Sequence, residues 1–522
     1  MSDVSDSDAK RFSVALIVRD AESLLGPTLQ SVAAIADEIV VADTGSRDNT
    51  REISKQWATR VLDVPWQDSF AAARNACMHA TTGDWILWLD AGETISETTA
   101  LALRGFVNEQ ADERLLYKLF VQLAPNKGSF ADQQMAQTRL IPGRRPLCFE
   151  GRVRERIVST VGNASPATEI LDWQIRRATY HDEPAAKTRR GQRNLKLADL
   201  EISENGAAPQ ILLVRAEALA QLGEIEEARK WFLRARHDAK PGSDDLLESY
   251  YGELTSFDED EPNRDVQLAL CIEALEMFPT DLQLLCAMGG YLQAQDKIEL
   301  AARAYKTAVE HGQANPNVWY LGDIHDIAVI CLSVVYQLQG KDGEALSLLQ
   351  NVLHQRPASL RLRHQMFDFQ IRHGRQEEAI KSLDGMPADM PQRDALVNAV
   401  RGACLASNGD WTAAQGYLET AYQAGCRDAI CLRWLASTWI ALEKPTDTRE
   451  LLDEWQQLEP DNDEINQFLD SLAKSRLSSG TVGTLGGREI RLDPPNDGPA
   501  EATEIPQQQS IKPRRRRYSD SR

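Results

Sequence analysis

The sequence has no apolar run long enough to span a bilayer, no hydrophobic leader, no Cys-x-x-Cys pair and no excess of positive charge. Each absence excludes something. A membrane-spanning helix needs roughly 20 apolar residues, and no such stretch exists. The opening MSDVSDSDAKRFS is polar and acidic, unlike a secretory leader, so the chain is expected to act in the cytoplasm. Its 8 cysteines are scattered through helical-looking sequence, which points to reduced, buried thiols rather than disulfides or zinc ligands. Lys and Arg number 58 against 78 Asp and Glu, a formal charge of −20. General nucleic-acid binding needs a basic surface and is not expected.

What is present is an ordinary globular composition, 42% hydrophobic and 26% charged, in a 522-residue chain too long for one core. The sharpest local signal is Trp85-Ile-Leu-Trp-Leu-Asp90-Ala-Gly-Glu93, an apolar run ending in two carboxylates. Such a run suits a strand buried on both faces of a parallel sheet. Ligands of open α/β sheets sit beyond the carboxyl ends of the strands, so Asp90 and Glu93 stand where one would bind. Upstream, residues 13–18, 38–43 and 60–64 read as strands, and 24–35, 50–57 and 68–80 as helices, with Asn49 or Thr50 capping the second. Alternation of this kind predicts right-handed βαβ units and a mostly parallel, nucleotide-binding sheet.

IVVADTGSRDNT, DVPWQDSFAAARNA and GDWILWLDAGETI follow one another in the first hundred residues. In order and spacing they resemble the signature segments of family-2 glycosyltransferases, in particular a subgroup with tetratricopeptide repeats after the transferase domain. The resemblance covers residues 13–95, and more weakly continues to about 195. It implies a nucleotide-diphospho-sugar transferase fold and a nucleotide-diphosphate sugar as donor. Asp43 matches the family acid that bonds the base, and Asp90 the first acid of the Asp-X-Asp motif, which contacts ribose or a magnesium or manganese ion. The third motif position is Gly92, so one family metal ligand is missing. Arg19-Asp20-Ala21 stands where the family usually has Lys-Asn-Glu.

From the residues themselves, Asp43 is either a nucleotide contact or a turn-forming acid at a strand end. Glu93 either acts on substrate or caps the next helix. Arg74 faces either a diphosphate or a structural carboxylate. Residues 115–121, 138–141 and 151–158 read as strands on the acceptor side. The last resembles a family segment with a His-Glu pair, with Arg154 in place of the histidine and Glu155 retained. An inverting transfer needs a carboxylate to deprotonate the acceptor, and Glu93 and Glu155 are the two candidates. The nearby cations Arg144, Arg145, Arg152, Arg154 and Arg156 bind either anions or surface carboxylates. Tyr180-His181-Asp182 reads as a polar loop.

From about 188 the pattern is helical, with self-similarity at Ala228, Gln267, Ala301, Ala345, Ala379, Ala414 and Thr448, spaced 39, 34, 44, 34, 35 and 34 residues apart. Glycines 223, 340, 374 and 409 precede their small residues by five positions, and Phe232, Cys271, Tyr305, Leu349, Leu383, Leu418 and Leu452 follow by four. Pro279, Pro357 and Pro460 fall where the second helix of a unit ends. This is a seven-unit tetratricopeptide-type solenoid, with insertions around 255–262 and 312–323.

The expected organisation is a disordered 1–11, an α/β transferase-like domain at 12–187, an all-α solenoid at 188–475, and a disordered tail at 476–522 ending in KPRRRR. The expected function is inverting sugar transfer to a protein, peptide or glycan acceptor, with the repeats holding acceptor or partner. The rival is a non-catalytic scaffold whose transferase domain is structural or a sensor.

Overall fold

A computed structural model describes residues 9–123, 132–161, 166–178, 184–257, 263–390, 392–458 and 464–469. Residues 1–8, the tail from 476, Tyr180-His181-Asp182 and Pro460 lie outside the described residues. The chain divides into Met1–Asn462 and Asp463–Arg522. In the second unit, 464–469 are helical.

The first unit opens with β1 (Phe12–Val18), α1 (Glu22–Val32), β2 (Glu38–Asp43), α2 (Thr50–Trp57), β3 (Arg60–Asp63), α3 (Phe70–His79) and β4 (Trp85–Trp88). Then come β5 (Glu93–Thr94), α4 (Glu97–Glu109), β6 (Leu116–Leu123), β7 (Gln133–Pro142), β8 (Leu147–Glu150), β9 (Arg156–Ser159) and β10 (Thr168–Arg177). The sheet order is β3-β2-β1-β4-β7-β6-β10-β5. β1 pairs in parallel with both β2 and β4, so the strand order reverses beside it. That reversal opens a crevice at the carboxyl ends of β1 and β4.

Alternation explains the burial. Phe12, Val14, Leu16 and Val18 join Leu87 and Leu89 in a core under α1 and α4. Ala15, Val40, Ala42, Ile86 and Trp88 face the other way, onto α3 and the β8–β9 hairpin. Because successive side chains point to opposite faces, both layers need apolar residues, and the strands read as unbroken apolar runs.

Three expectations change. Residues 151–158 are not one strand: β8 and β9 form an antiparallel hairpin, turned by Gly151 (φ +95°) and Arg154 (φ +53°). Neither Asn49 nor Thr50 caps α2 with its side chain; Asp48 Oδ1 accepts from the Thr50 amide at 3.0 Å instead. β10 was not anticipated, because most of its side chains are exposed and it lacks an apolar pattern.

α5 (Pro184–Asn205) begins slightly before the expected boundary. Seven helix pairs follow: α6 (Pro209–Gln221) with α7 (Ile225–Asp238), α8 (Asp244–Leu254) with α9 (Arg264–Met277), and α10 (Leu282–Ala294) with α11 (Ile298–His311). After β11 (Tyr320–Leu321) come α12 (Ile324–Leu338) with α13 (Asp342–Gln355), α14 (Leu360–Arg372) with α15 (Gln376–Ser382), α16 (Arg393–Ser407) with α17 (Trp411–Gln423), and α18 (Ala429–Ala441) with α19 (Pro445–Leu458). The seven small-residue positions are all buried, Gln267 included. Close approach is the reason: an added Cβ at Gly289 would lie 2.5 Å from the Tyr305 ring, the residue four places after Ala301. Gly223, Gly340, Gly374 and Gly409 all have positive φ at the turns, as a left-handed helix end requires.

The insertion at 312–323 is structural glue. β11 pairs antiparallel with β7, Tyr320 opposite Gln134 and Leu321 opposite Gln133. The Ala136 amide donates to the Pro316 carbonyl and the Gly322 amide to that of Asp132, both at 2.7 Å. The third repeat therefore adds a strand to the N-terminal sheet.

Candidate active site at the strand ends

Asp43 ends β2 and is 2% exposed. Its Oδ1 accepts from the amides of Gly45 and Ser46, each at 2.7 Å, so it does form the turn. The next loop is tied down as well: the Arg47 amide donates to Asp20 Oδ1 at 2.7 Å, and the Asp20 amide to Ser46 Oγ at 3.0 Å. One strand, β1, separates Asp43 from Asp90, so two strand spacings set them roughly 10 Å apart across the crevice.

Asp90 follows β4 and is ringed by guanidinium groups. Arg74 reaches its Oδ1 at 3.2 Å, while Arg139 and Arg177 reach Oδ2 at 3.4 and 3.3 Å. Burial alone would raise its pKa, but Arg139, Arg74 and Arg177 together hold it well below the usual carboxylate range.

Glu93 has no exposed surface. Its Oε1 accepts from Arg139 and Arg177, both at 2.7 Å, and its Oε2 accepts from the Asp90 amide at 2.9 Å. It does not cap α4, whose N-terminus is held by Ser96, accepting from the Thr99 amide at 3.1 Å. Gly92 turns the chain between the two acids at φ +92°, and its amide donates to Thr28 Oγ1 at 2.9 Å.

Arg74 lies on α3, which Ser69 caps. Its guanidinium carbon sits 4.7 Å from the centre of the Trp88 ring. It also pairs with Glu155, in the loop between β8 and β9. Of the two alternatives for Arg74, the structure shows the carboxylate one: Arg74 pairs with Asp90 and Glu155. Asp90, Glu93, Glu155 and Arg74 come together, while Asp43 stands on the other side of β1.

Sequence reasoning missed Arg139 and Arg177. Arg139 is the extra residue of a β-bulge: Tyr117 pairs with Leu140 but Lys118 pairs with Thr138. A bulge re-aims a side chain and leaves no reliable trace in sequence. The signal available was a cation inside an otherwise apolar strand end, TRLIP. Arg177 ends β10, the strand that sequence did not reveal.

The five cations 144–156 take local partners. Arg144 pairs with Asp84 at 2.5 Å, Arg152 with Glu204 at 2.8 Å and Arg156 with Glu150 at 3.4 Å. Arg145 donates to the Arg114 carbonyl at 2.8 Å, and Arg154 pairs with Glu248.

The donor set does not fit a divalent cation. Asp90 has both oxygens on arginines, Glu93 is sealed, and Gly92 offers no side chain. Three guanidinium groups would repel an ion placed at Asp90. Among the described residues, no three His, Cys, Asp or Glu side chains gather to hold a metal. The metal role that the resemblance implies for Asp90 therefore lacks its ligands.

The cysteines are free; Cys77, Cys271, Cys404, Cys426 and Cys431 are buried, while Cys148, Cys286 and Cys331 are partly exposed. Among the described residues, no helix is long and apolar enough to cross a membrane.

Residues 13–111 match the model of Glycosyl transferase family 2, and residues 196–244 and 338–404 match tetratricopeptide repeat models. A TPR repeat-containing protein of Synechococcus elongatus is 27% identical over 235 residues, 44% of this chain and 57% of that protein. An uncharacterized glycosyltransferase of Rickettsia typhi is 30% identical over 116 residues, 21% of this chain and 38% of its own. The SPbeta prophage-derived glycosyltransferase SunS of Bacillus subtilis is 22% identical over 247 residues, 46% of this chain and 56% of its own. The matches thus span roughly two fifths to three fifths of these curated relatives. A tetratricopeptide repeat protein from Parabacteroides merdae superposes with a TM-score of 0.39 at 15% identity, over 51% of this chain and 98% of its own. The chain thus carries a segment that matches the Glycosyl transferase family 2 model, followed by a helical region with two stretches that match tetratricopeptide repeat models.

Proposed function

We propose that the protein transfers a sugar from a nucleotide-diphosphate sugar to a protein, peptide or glycan acceptor, with inversion at the anomeric carbon. The observation that carries this reading is the placement of Asp43 and Asp90 at the ends of β2 and β4, on either side of β1, where the strand order reverses. In this reading Asp43 meets the base with the oxygen that the turn leaves over. Asp90 meets the ribose, and Arg74 turns from Glu155 toward the diphosphate.

That movement frees Glu155. A carboxylate held by a guanidinium is a weak base, and one released from it regains its basicity. An acceptor lone pair attacks the anomeric carbon, and its proton passes to Glu155. The bond from that carbon to the diphosphate oxygen breaks, and its electron pair leaves with the nucleoside diphosphate. Glu93 acts as a positioning residue in this reading, since it has no exposed surface and its carboxylate accepts from Arg139, Arg177 and the Asp90 amide. The repeats hold the acceptor or a protein partner on their concave face.

The test is calorimetric titration of the full chain with a panel of nucleotide-diphosphate sugars, followed by a donor-hydrolysis assay. Binding with slow hydrolysis that Glu155→Gln abolishes is expected. A folded protein that binds no donor would be the scaffold that the charge-saturated Asp90 also allows.

A further inference from the structure

If no metal fits at Asp90, the donor's two phosphates need another counter-charge. The crevice has one. Arg177 and Arg74 already converge on Asp90, with side chains 21% and 12% exposed. A third cation comes from outside the transferase sheet. Arg193, on α5, places its guanidinium carbon 4.9 Å from the centre of the Phe70 ring. Phe70 and Arg74 are four residues apart on α3 and so share one helix face, which brings Arg193 to the face that carries Arg74, one turn away.

Arg193 differs from its neighbours in its partners. Its guanidinium donates to the side-chain oxygen of adjacent Asn194, at 3.2 and 3.3 Å, and it forms no ion pair among the described residues. It is solvent-exposed. Crowding by its surroundings and by Arg190 lowers its pKa, while Asp90 and Glu155 pull the other way, which places it within the field of the site. A guanidinium without a carboxylate, stacked on an aromatic ring at the mouth of a sugar-nucleotide crevice, has the geometry and charge to grip phosphate oxygens.

We propose that the diphosphate is held by guanidinium groups in place of a divalent cation, Arg74 and Arg177 from the transferase domain and Arg193 from the helix that leads into the repeats. The inference rests on the sugar-nucleotide reading above. It makes the repeat region part of the donor site, because α5 packs on α6 and cannot shift without carrying Arg193 with it.

The experiment titrates the full chain with UDP, GDP and ADP in excess EDTA and again in excess manganese, with uridine, guanosine and adenosine as phosphate-free controls. The expected result is one nucleoside diphosphate bound with the same affinity in both buffers. Arg193→Ala should weaken it by about tenfold, from the loss of a charge-assisted bond, and leave the free nucleoside unaffected. Arg193→Lys, which keeps the charge but loses the fork, should fall in between. Thermal melting checks that both variants are folded, and Arg193 is exposed enough for this to hold. Binding that appears only with manganese, or that is indifferent to Arg193→Ala, overturns the inference and spares the sugar-nucleotide reading. No nucleoside diphosphate bound in either buffer overturns both.

Discussion

Arg154 and Glu155 are adjacent in the chain and pair in opposite directions. Arg154, at φ +53°, reaches Glu217 on α6 at 3.6 Å and Glu248 on α8, while Glu155 turns inward to Arg74. One backbone turn thus links the first two repeats to the carboxylate proposed as base.

Arg154→Ala should test that link. It leaves Glu217 and Glu248 facing each other without their cation, and the pair is partly buried. A loss of about 1–3 kcal/mol in urea unfolding is expected, smaller than for a sealed pair because Glu217 keeps some solvent. Sugar transfer should fall too, since Glu155 loses its anchor.

The same cluster gives a pH dependence. Burial pushes Glu217 from its ordinary 4.5 up to about 7, against the pull of Arg154 and with the push of Glu248, while Arg190 also pulls it down. A carboxyl raised in the folded state holds its proton more tightly there than when unfolded. Its stabilising contribution is therefore full below 4.5 and is lost as pH rises through about 7. The difference in melting temperature between the natural chain and Glu217→Gln, followed from pH 4.5 to 7, should shrink or reverse as the natural chain loses that contribution.

Glu93→Gln separates positioning from catalysis. Buried Arg139 and half-buried Arg177 would lose one of the two carboxylates they share and keep Asp90, at a cost of about 3 kcal/mol. Lower thermal stability together with weaker donor binding is expected. A variant as stable as the natural chain, binding donor normally but inactive, would return Glu93 to the role of base.

Gly92→Asp would rebuild the family's acidic motif in sequence but not in structure. At φ +92° a side chain is strained, by about 1–3 kcal/mol. Melting temperature should drop, and manganese should not stimulate transfer.

Tyr320→Ala should loosen the third repeat from the sheet. The ring is buried beside Phe120, and its hydroxyl accepts from Gln134 at 2.7 Å. Faster hydrogen exchange at the Ala136 and Gly322 amides is expected, with the distant repeats unchanged.

Much of the fold was legible in the chain. β2 ends on Asp43 where the apolar run ends, and α2 spans 50–57 as read. The seven small positions of the repeats are buried, because two helices can approach only where a side chain is short. These features are local or periodic, so propensity and spacing reveal them. The pairing of Arg139 and Arg177 with Glu93 was not legible. It depends on a bulge in β7 and on β10, a strand with an exposed, irregular pattern. Nor does 320–321 look like a strand by itself; it becomes one because β7 offers it an unpaired stretch of backbone. The sequence by itself determined the two architectures, their order and the acids at the strand ends. Only tertiary structure decided which cations face those acids, and hence that three arginines surround Asp90, because charge balance depends on which distant residues share one crevice.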